Sequence, residues 1–448
     1  MDFLTILPQF GNVFFTLLAF VLALSVIVAV HEYGHYIVGR WSGIKADVFS
    51  LGFGPVLFSR IDKHGTIWQF ALLPFGGFVK FKGDSNAASA NVEDDTVEMS
   101  ADERRQTMLG APLWARTATV AAGPVFNFIL SILVFGAVMM SDGKSIEPLV
   151  VDQMKPLPIE GITLEQGDQL ISVAGTALPG FDDSAAFATF VDTLPSTPLL
   201  EYVVNRDGQQ VVAQGPHPMP PLAVQLAPRS AAFSIDMRPG DVIVEVDGSP
   251  IYAFADLKEI VESSEGRVLQ LKVWRGGELL DFSLAPRRVD EPLPEGGFQT
   301  TYRIGISGGF AFEPAKESLG VLGAVSGGIG QTMGVITGSV SGLYHMITGA
   351  ISSCNMSGPI GIAQVSGAMA SQGAQSFIWF IAVLSAAVGF LNLLPIPILD
   401  GGHLAFYAYE AVARKPPSEG ALRIMMTVGL TLVLGLMVFA ITNDLFCP

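Results

Sequence analysis

Long apolar runs alternate with polar stretches along this chain. Residues 14–30, FFTLLAFVLALSVIVAV, contain no charged side chain, and three later stretches are nearly as apolar. About 20 helical residues cross a hydrocarbon core of about 30 Å, so the pattern predicts four membrane-spanning helices, at 11–38, 114–140, 375–398 and 422–442. No Lys or Arg precedes the first run, which is longer than a signal-peptide core, so it is expected to be a retained span. Residues 319–351 are apolar but rich in Gly and Ser, and are expected to form a helix on or partly in the outer surface of the bilayer. Elsewhere the period falls to two. TIWQFALLPFGGFVKFK (66–82) reads as two strands around a Pro-Phe-Gly-Gly turn, with FSLGFGPVLFS (49–59) available to pair with them. The polar region 142–317 contains a repeat: LEQGDQLISVAGTAL (164–178) aligns with MRPGDVIVEVDGSPI (237–251), each a Gly-Asp turn, an alternating strand and a second turn. Strand pairs follow at 200–212 and 269–282, and AFADLKEIVESS (253–264) supplies a helix to the second copy. Two copies of one small α/β fold are expected.

Composition agrees with a membrane protein: 50% of residues are apolar and 15% charged, with a mean hydropathy of +0.47. A formal charge of -16 argues against nucleic acid as a partner. Basic residues follow the first span (Arg40, Lys45, Arg60, Lys63, Lys80, Lys82, Arg104, Arg105, Arg116) and separate the last two (Arg414, Lys415, Arg423). By the positive-inside rule these loops are cytoplasmic, which leaves the N-terminus, the 142–317 region and the C-terminus outside. Cys354 and Cys447 are too few for a disulfide framework and lack metal-ligand spacing, so neither is expected to have a role.

The first span carries HEYGH at 31–35. His31 and His35 sit four apart, on one helix face, where two imidazoles converge on one ion; Glu32 beside them suits a general base. The bland alternative is a set of polar residues hydrogen-bonded at a helix end. Depth weakens it: His31 lies roughly 13 Å along the helix from Arg40, where each ionisable group costs about 2.5–3.5 kcal/mol. A catalytic zinc needs a third protein ligand. Asp400, in LNLLPIPILDGGH (391–403), ends a charge-free run that begins at Leu319. Pro395 and Pro397 are expected to stop the third span near Leu394 and continue it as extended chain, with Gly401 and Gly402 in a tight turn that returns Asp400 to the site. His403 is a competing ligand, more simply a structural histidine. With 142–374 outside, spans one and three both run inward, which places His31 and Asp400 at similar depths.

HEYGH, AAGPVFNF (121–128), SGPIGIA (357–363) and NLLPIPILDGGH (392–403) together resemble the site-2 protease family of intramembrane zinc proteases, over nearly the whole chain. The resemblance implies Zn2+ held by His31, His35 and Asp400, with Glu32 as the base. It also implies that Asn392 helps to hold substrate near zinc. Asn127 is either a second substrate-positioning residue or an interhelical hydrogen bond. The β region becomes a re-entrant loop whose edge adds substrate as a strand, with Gly76 and Gly77 at its turn. The repeats resemble tandem PDZ domains, which either bind peptides or exclude bulky substrates. The implied setting is a bacterial inner membrane. The implied substrates are single-span proteins already trimmed outside, such as an anti-sigma factor, or remnant signal peptides.

The expected fold is a polytopic α-helical membrane protein of about four spans, with a membrane-associated β-hairpin region and two extracytoplasmic PDZ-like α/β domains. Its parts are the first span (1–40), the β region (41–112), the second span (113–141), two PDZ-like domains (142–221 and 222–290), a linker with surface helices (291–374), the third span (375–403), and a cytoplasmic loop with the fourth span (404–448). Two rivals remain open. One is a non-catalytic zinc-binding scaffold with peptide-binding domains; the other is a metal transporter, disfavoured because two spans carry no acidic or His residue.

Overall fold

The computed structural model describes residues 3–83, 100–180, 183–293 and 297–447, so 84–99 of the expected β region lie outside the described residues. The chain divides into two compact units, one of residues 1–138, 321–349 and 353–448, the other of 139–320 with 350–352.

The first unit opens with α1 (Phe3–Trp41), whose long uncharged run has no helix breaker strong enough to stop it before Gly43. The strands β1 (Ala46–Ile61) and β2 (Ile67–Phe81) follow, then a short α2 (Ala101–Arg105) and α3 (Leu113–Asp142). Ser100 starts α2 with a capping box to Glu103, which satisfies two otherwise orphaned N–H groups. The halves of β2 do not pair with each other around the Pro-Phe-Gly-Gly turn, as the alternation predicts. Residues 48–51 lie between them, facing 77–80 on one side and 67–70 on the other, while 58–61 return to 67–70. The reason is that β1 doubles back near Gly52, whose φ of +92° and whose neighbours, the Ala71 and Leu73 carbonyls, exclude a side chain. Near α1 the sheet buries Phe49, Val79 and Phe81 against Tyr36 and Ile44. Its far end exposes Phe53, Leu57, Phe58, Phe70 and Phe75.

The second unit holds β3 (Lys144–Ser145), β4 (Val151–Met154), β5 (Gln169–Val173), β6 (Thr176–Ala177), α4 (Ser184–Thr193), β7 (Leu200–Arg206), β8 (Gln209–Gly215) and β9 (Gln225–Leu226). It continues with α5 (Ala231–Ser234), β10 (Val242–Val246), β11 (Ser249–Pro250), α6 (Phe254–Ser263), β12 (Leu269–Arg275) and β13 (Glu278–Leu284). Its last strands are β14 (Arg287–Pro292), β15 (Phe298–Arg303), β16 (Ile306–Ser307), β17 (Phe312–Pro314) and β18 (Lys316–Glu317). Two four-stranded sheets, ordered β6-β5-β7-β8 and β11-β10-β12-β13, realise the sequence repeat. The likeness extends to detail. Each sheet has a register irregularity at the same place, after Leu170 in one and after Ile243 in the other. Each carries a buried aspartate on its Gly-Asp turn, gripped by two arginine nitrogens: Arg206 holds Asp168 at 2.7 Å and 2.7 Å, Arg275 holds Asp241 at 2.6 Å and 2.7 Å. Residues 298–317 are not a linker, as the sequence reading has it. β15 pairs with β14, β16 with β9, β17 with β4 and β18 with β3, all within this unit. The last three are too short to show alternation.

The chain re-enters the first unit as α7 (Val321–Ile347), α8 (Pro359–Ser371), α9 (Ala374–Asn392), α10 (Asp400–Ala413) and α11 (Glu419–Phe446). Among the described residues four helices are long and apolar enough to cross a membrane: Val13–Trp41, Leu113–Asp142, Ala374–Asn392 and Glu419–Phe446. α7 is not one of them. It packs closely on α3, where the Thr332 and Ser131 hydroxyls meet at 3.1 Å and the Gly328 backbone abuts the Ile132 carbonyl. Cys354 and Cys447, expected to be idle, form a disulfide that ties the end of α11 to the segment before α8. The Asp444 carboxylate, one turn from Cys447, accepts hydrogen bonds from the Gly358 and Gly361 N–H groups at the start of α8.

Candidate metal centre and active site

One turn of α1 brings His31 and His35 together with their Nε2 atoms 3.1 Å apart. Asp400, from the first turn of α10, places Oδ2 at 3.1 Å from His31 Nε2 and 3.5 Å from His35 Nε2. Ligands bonded to one tetrahedral zinc at 2.0–2.2 Å lie about 3.4 Å from one another. The triangle here has that size. Among the described residues Asp400 Oδ2 is enclosed and makes no hydrogen bond of ordinary geometry despite these short distances, which suits a carboxylate that meets a metal. Its two imidazole neighbours face a common point. Two imidazoles and a carboxylate fit zinc, and the three side chains could hold a metal ion.

The other imidazole nitrogens are fixed by α3. His35 Nδ1 donates to the Thr119 carbonyl at 2.9 Å, which leaves Nε2 as a lone-pair donor. The Asn127 amide lies 3.1 Å from His31 Nδ1, and its Oδ1 is buried without a partner among the described residues. Exchanging the amide oxygen and nitrogen lets Oδ1 accept from His31 Nδ1–H, which satisfies the orphan atom and frees His31 Nε2 as well. Asn127 therefore stands against the ring of His31. Gly123 makes this approach possible: a Cβ there would lie 2.3 Å from His35 Nε2.

Asp400 reaches the site in a different way from that expected. α9 stops at Asn392, residues 393–399 turn, and Asp400 then begins a helix rather than ending an extended strand. Gly401 and Gly402 sit in the first turn of α10 because the Leu393, Leu394 and Ile396 carbonyls press against their backbones at 2.3–2.4 Å from any Cβ.

A cavity of about 340 Å³ is lined by His31, Glu32, His35, Asp400, Asn392 and Gly77, among others. Glu32 is next to the triangle without belonging to it, and Gly77 meets its side chain so closely that a Cβ would be 3.1 Å from Glu32 Cγ. Asn392 lines the cavity but donates to its own helix, at the Val388 carbonyl, 3.1 Å away. His403 lines the cavity and stays out of the triangle. Gly76 packs against Phe53. Sequence reasoning missed Thr119, which acts through its backbone, and gave no role to Gly123, although AAGPVFNF contains it.

Apolar spanning helices that carry two histidines and converge with a buried carboxylate define a membrane-embedded metalloenzyme. Comparison with known proteins narrows the class. The sequence profile of Peptidase family M50 matches residues 19–436. A candidate zinc metalloprotease of Agrobacterium fabrum is 34% identical over 98% of each chain. One of Rhizobium meliloti is 35% identical over 97% of each, and one of Xylella fastidiosa is 30% identical over 97% of this chain and 99% of its own. The chain belongs to peptidase family M50, the site-2 protease family, and is a multi-pass membrane zinc metalloprotease.

Proposed function

We propose that this protein is an intramembrane endopeptidase in which His31, His35 and Asp400 hold zinc and Glu32 is the general base. The observation that carries this reading is the ligand triangle of tetrahedral size with Glu32 in the same cavity. Zinc bound there supplies Lewis acidity, which makes water nucleophilic near neutral pH and polarises the scissile carbonyl. Glu32 takes the proton of the attacking water and delivers it to the leaving amine. Asn127 and Thr119 keep the two imidazoles in the ligating tautomer. Asn392 offers its amide carbonyl to the cavity, where it accepts from a substrate N–H.

A helix hides its carbonyls in its own hydrogen bonds, so a substrate span must unwind before it is cut. Among the described residues, 77–79 pair with 49–51. Their other edge runs beside Glu32, and the Val79 N–H points at its carboxylate. An unwound substrate adds there as a further strand. The exposed aromatic end of the sheet suits a re-entrant loop in lipid.

Disulfides persist in oxidising compartments. The Cys354–Cys447 bond therefore supports placing the end of α11 outside a bacterial inner membrane, on the side that the positive-inside rule gives it. The second unit, entered from the outward end of α3, shares that side. Its repeats are PDZ-like modules that admit substrates only after trimming, which makes the protein a relative in function of the bacterial sigma-E regulator protease. Its substrates are then single-span anti-sigma factors and remnant signal peptides.

Glu32→Gln tests the reading. Shape and a hydrogen-bonding oxygen are kept and the base is lost, so zinc content should be unchanged while cleavage of a trimmed single-span substrate falls by a factor of about 10² to 10⁴. A scaffold has no use for the base. Near-normal cleavage by a fully zinc-loaded variant rejects the mechanism.

A further inference from the structure

We infer that Arg116 and Glu410 form a positioning pair that sets the third zinc ligand against the first two; this rests on the zinc-site reading above. The guanidinium of Arg116 meets the Glu410 carboxylate in a two-pronged pair, Nη1 to Oε2 at 3.0 Å and Nη2 to Oε1 at 2.6 Å. Its Nε donates to the Ala111 carbonyl at 3.1 Å, and its plane lies over the Tyr407 ring, 5.2 Å from the centroid. The side chains are only 13% and 18% exposed. Three of the five N–H donors and one face of the guanidinium are therefore engaged, which restricts its geometry.

The pair joins two helices with complementary duties. Arg116 is on α3 one turn before Thr119, which orients His35; further along α3, Gly123 abuts both imidazoles and Asn127 meets His31. α3 is thus the ruler for the histidine ligands. Glu410 is on α10, whose first residue is Asp400. A helix is stiff along its axis, so holding Glu410 fixes the axial position and the rotation that Asp400 shares. The other end of α10 is wedged by Gly401 and Gly402 against the 393–397 turn, and buried Phe406 lies between. Zinc ligands tolerate displacements of only about 0.2 Å. A polar link from the helix that orients the histidines to the helix that bears the carboxylate supplies that constraint.

The Arg116–Glu410 pair lines the same cavity as the ligands, yet it does not touch the triangle. It acts through Asp400, and a double-mutant cycle on zinc affinity exposes this. Full-length protein in detergent is stripped of metal and titrated with zinc against a chelator, for wild type, Glu410→Gln, Asp400→Ala and the double variant. Glu410→Gln should weaken zinc by about 10- to 100-fold, as loss of a ligand's supporting contacts does. In the Asp400→Ala background the same change should have less than about a twofold effect, because the ligand it positions is gone. A Glu410→Gln affinity equal to wild type, or an equal loss in both backgrounds, overturns the proposal and leaves the pair a structural bridge. Asp400→Ala without effect on zinc would instead defeat the site reading beneath it. Should Glu410→Gln fail to fold, Arg116→Lys gives the same cycle, since it retains the charge and loses the two-pronged grip.

Discussion

Three carboxylates that each have an enclosed oxygen make an instructive comparison. Asp168 and Asp241, in the two repeats of the strand-rich unit, are almost fully buried, and each is closed by two nitrogens of one arginine and a backbone N–H from its own turn. Asp400, among the membrane helices, is partly exposed, but its enclosed Oδ2 faces two imidazole nitrogens and makes no ordinary hydrogen bond among the described residues. Buried charge needs a partner in either setting. In the repeats the partner is part of the chain, so the site is complete and structural. At Asp400 the chain supplies only lone-pair donors aimed at one point, the arrangement that the proposed zinc site requires.

The largest expected effect breaks that comparison at its centre. Asp400→Asn should lower zinc affinity by at least about 10²-fold, since even outer partners of a ligand are worth about 10- to 100-fold. Asp241→Asn should leave zinc affinity unchanged while destabilising its repeat by about 3 kcal/mol at most, because Arg275 loses its charge partner but remains partly solvated. Zinc titration together with hydrogen exchange of the β10–β13 region reads both. Next in size is the disulfide. Replacing Cys354 and Cys447 by Ser should reduce resistance to unfolding by about 2–4 kcal/mol without altering zinc content. Both thiols in protein from cells should resist maleimide until reduced.

The smallest effect belongs to His217, which lies in the connection between the two repeats and is 1% exposed. Burial pushes its pKa below the ordinary 6.5, against the raising influence of the Met219 carbonyl and the Asp256 and Asp192 charges. The sign follows from linkage: above pH 6.5 neither folded nor unfolded state binds this proton, and as pH falls below 6.5 the unfolded state binds it first. Acidification from pH 7.5 to 5.5 should therefore lower the hydrogen-exchange protection of residues 200–226, taken relative to the intrinsic rate at each pH, and His217→Gln should diminish that change. Equal pH sensitivity in wild type and variant would assign the effect to other groups.

The legible parts of the sequence are those where physics leaves few choices. HEYGH and the Asp of LDGG stand out because titratable groups in an apolar run need a purpose, and the repeat is marked by the Gly-Asp turns that present Asp168 and Asp241. What was hidden depends on backbone or on distant pairing. The Thr119 carbonyl has no side-chain signature, and Gly123 looks like any glycine in a membrane helix. Cys354 and Cys447 are 93 residues apart and meet only once α8 and α11 are placed. Asp400 begins a helix because its following glycines fit under the 393–396 carbonyls, whereas Gly-Gly in sequence suggests a turn. The pairing of 49–59 with both halves of 66–82 is legible, but its reversal near Gly52 is not, because nothing in the alternation marks it.

The central claim is that two imidazoles and one carboxylate hold the metal. Zinc K-edge absorption of the purified protein tests it most directly. The account predicts a shell of two histidine nitrogens and light oxygen donors at about 2.0–2.2 Å, with one oxygen lost or replaced in Asp400→Ala. A sulfur ligand, a single-histidine shell, or a spectrum unchanged by Asp400→Ala would contradict it.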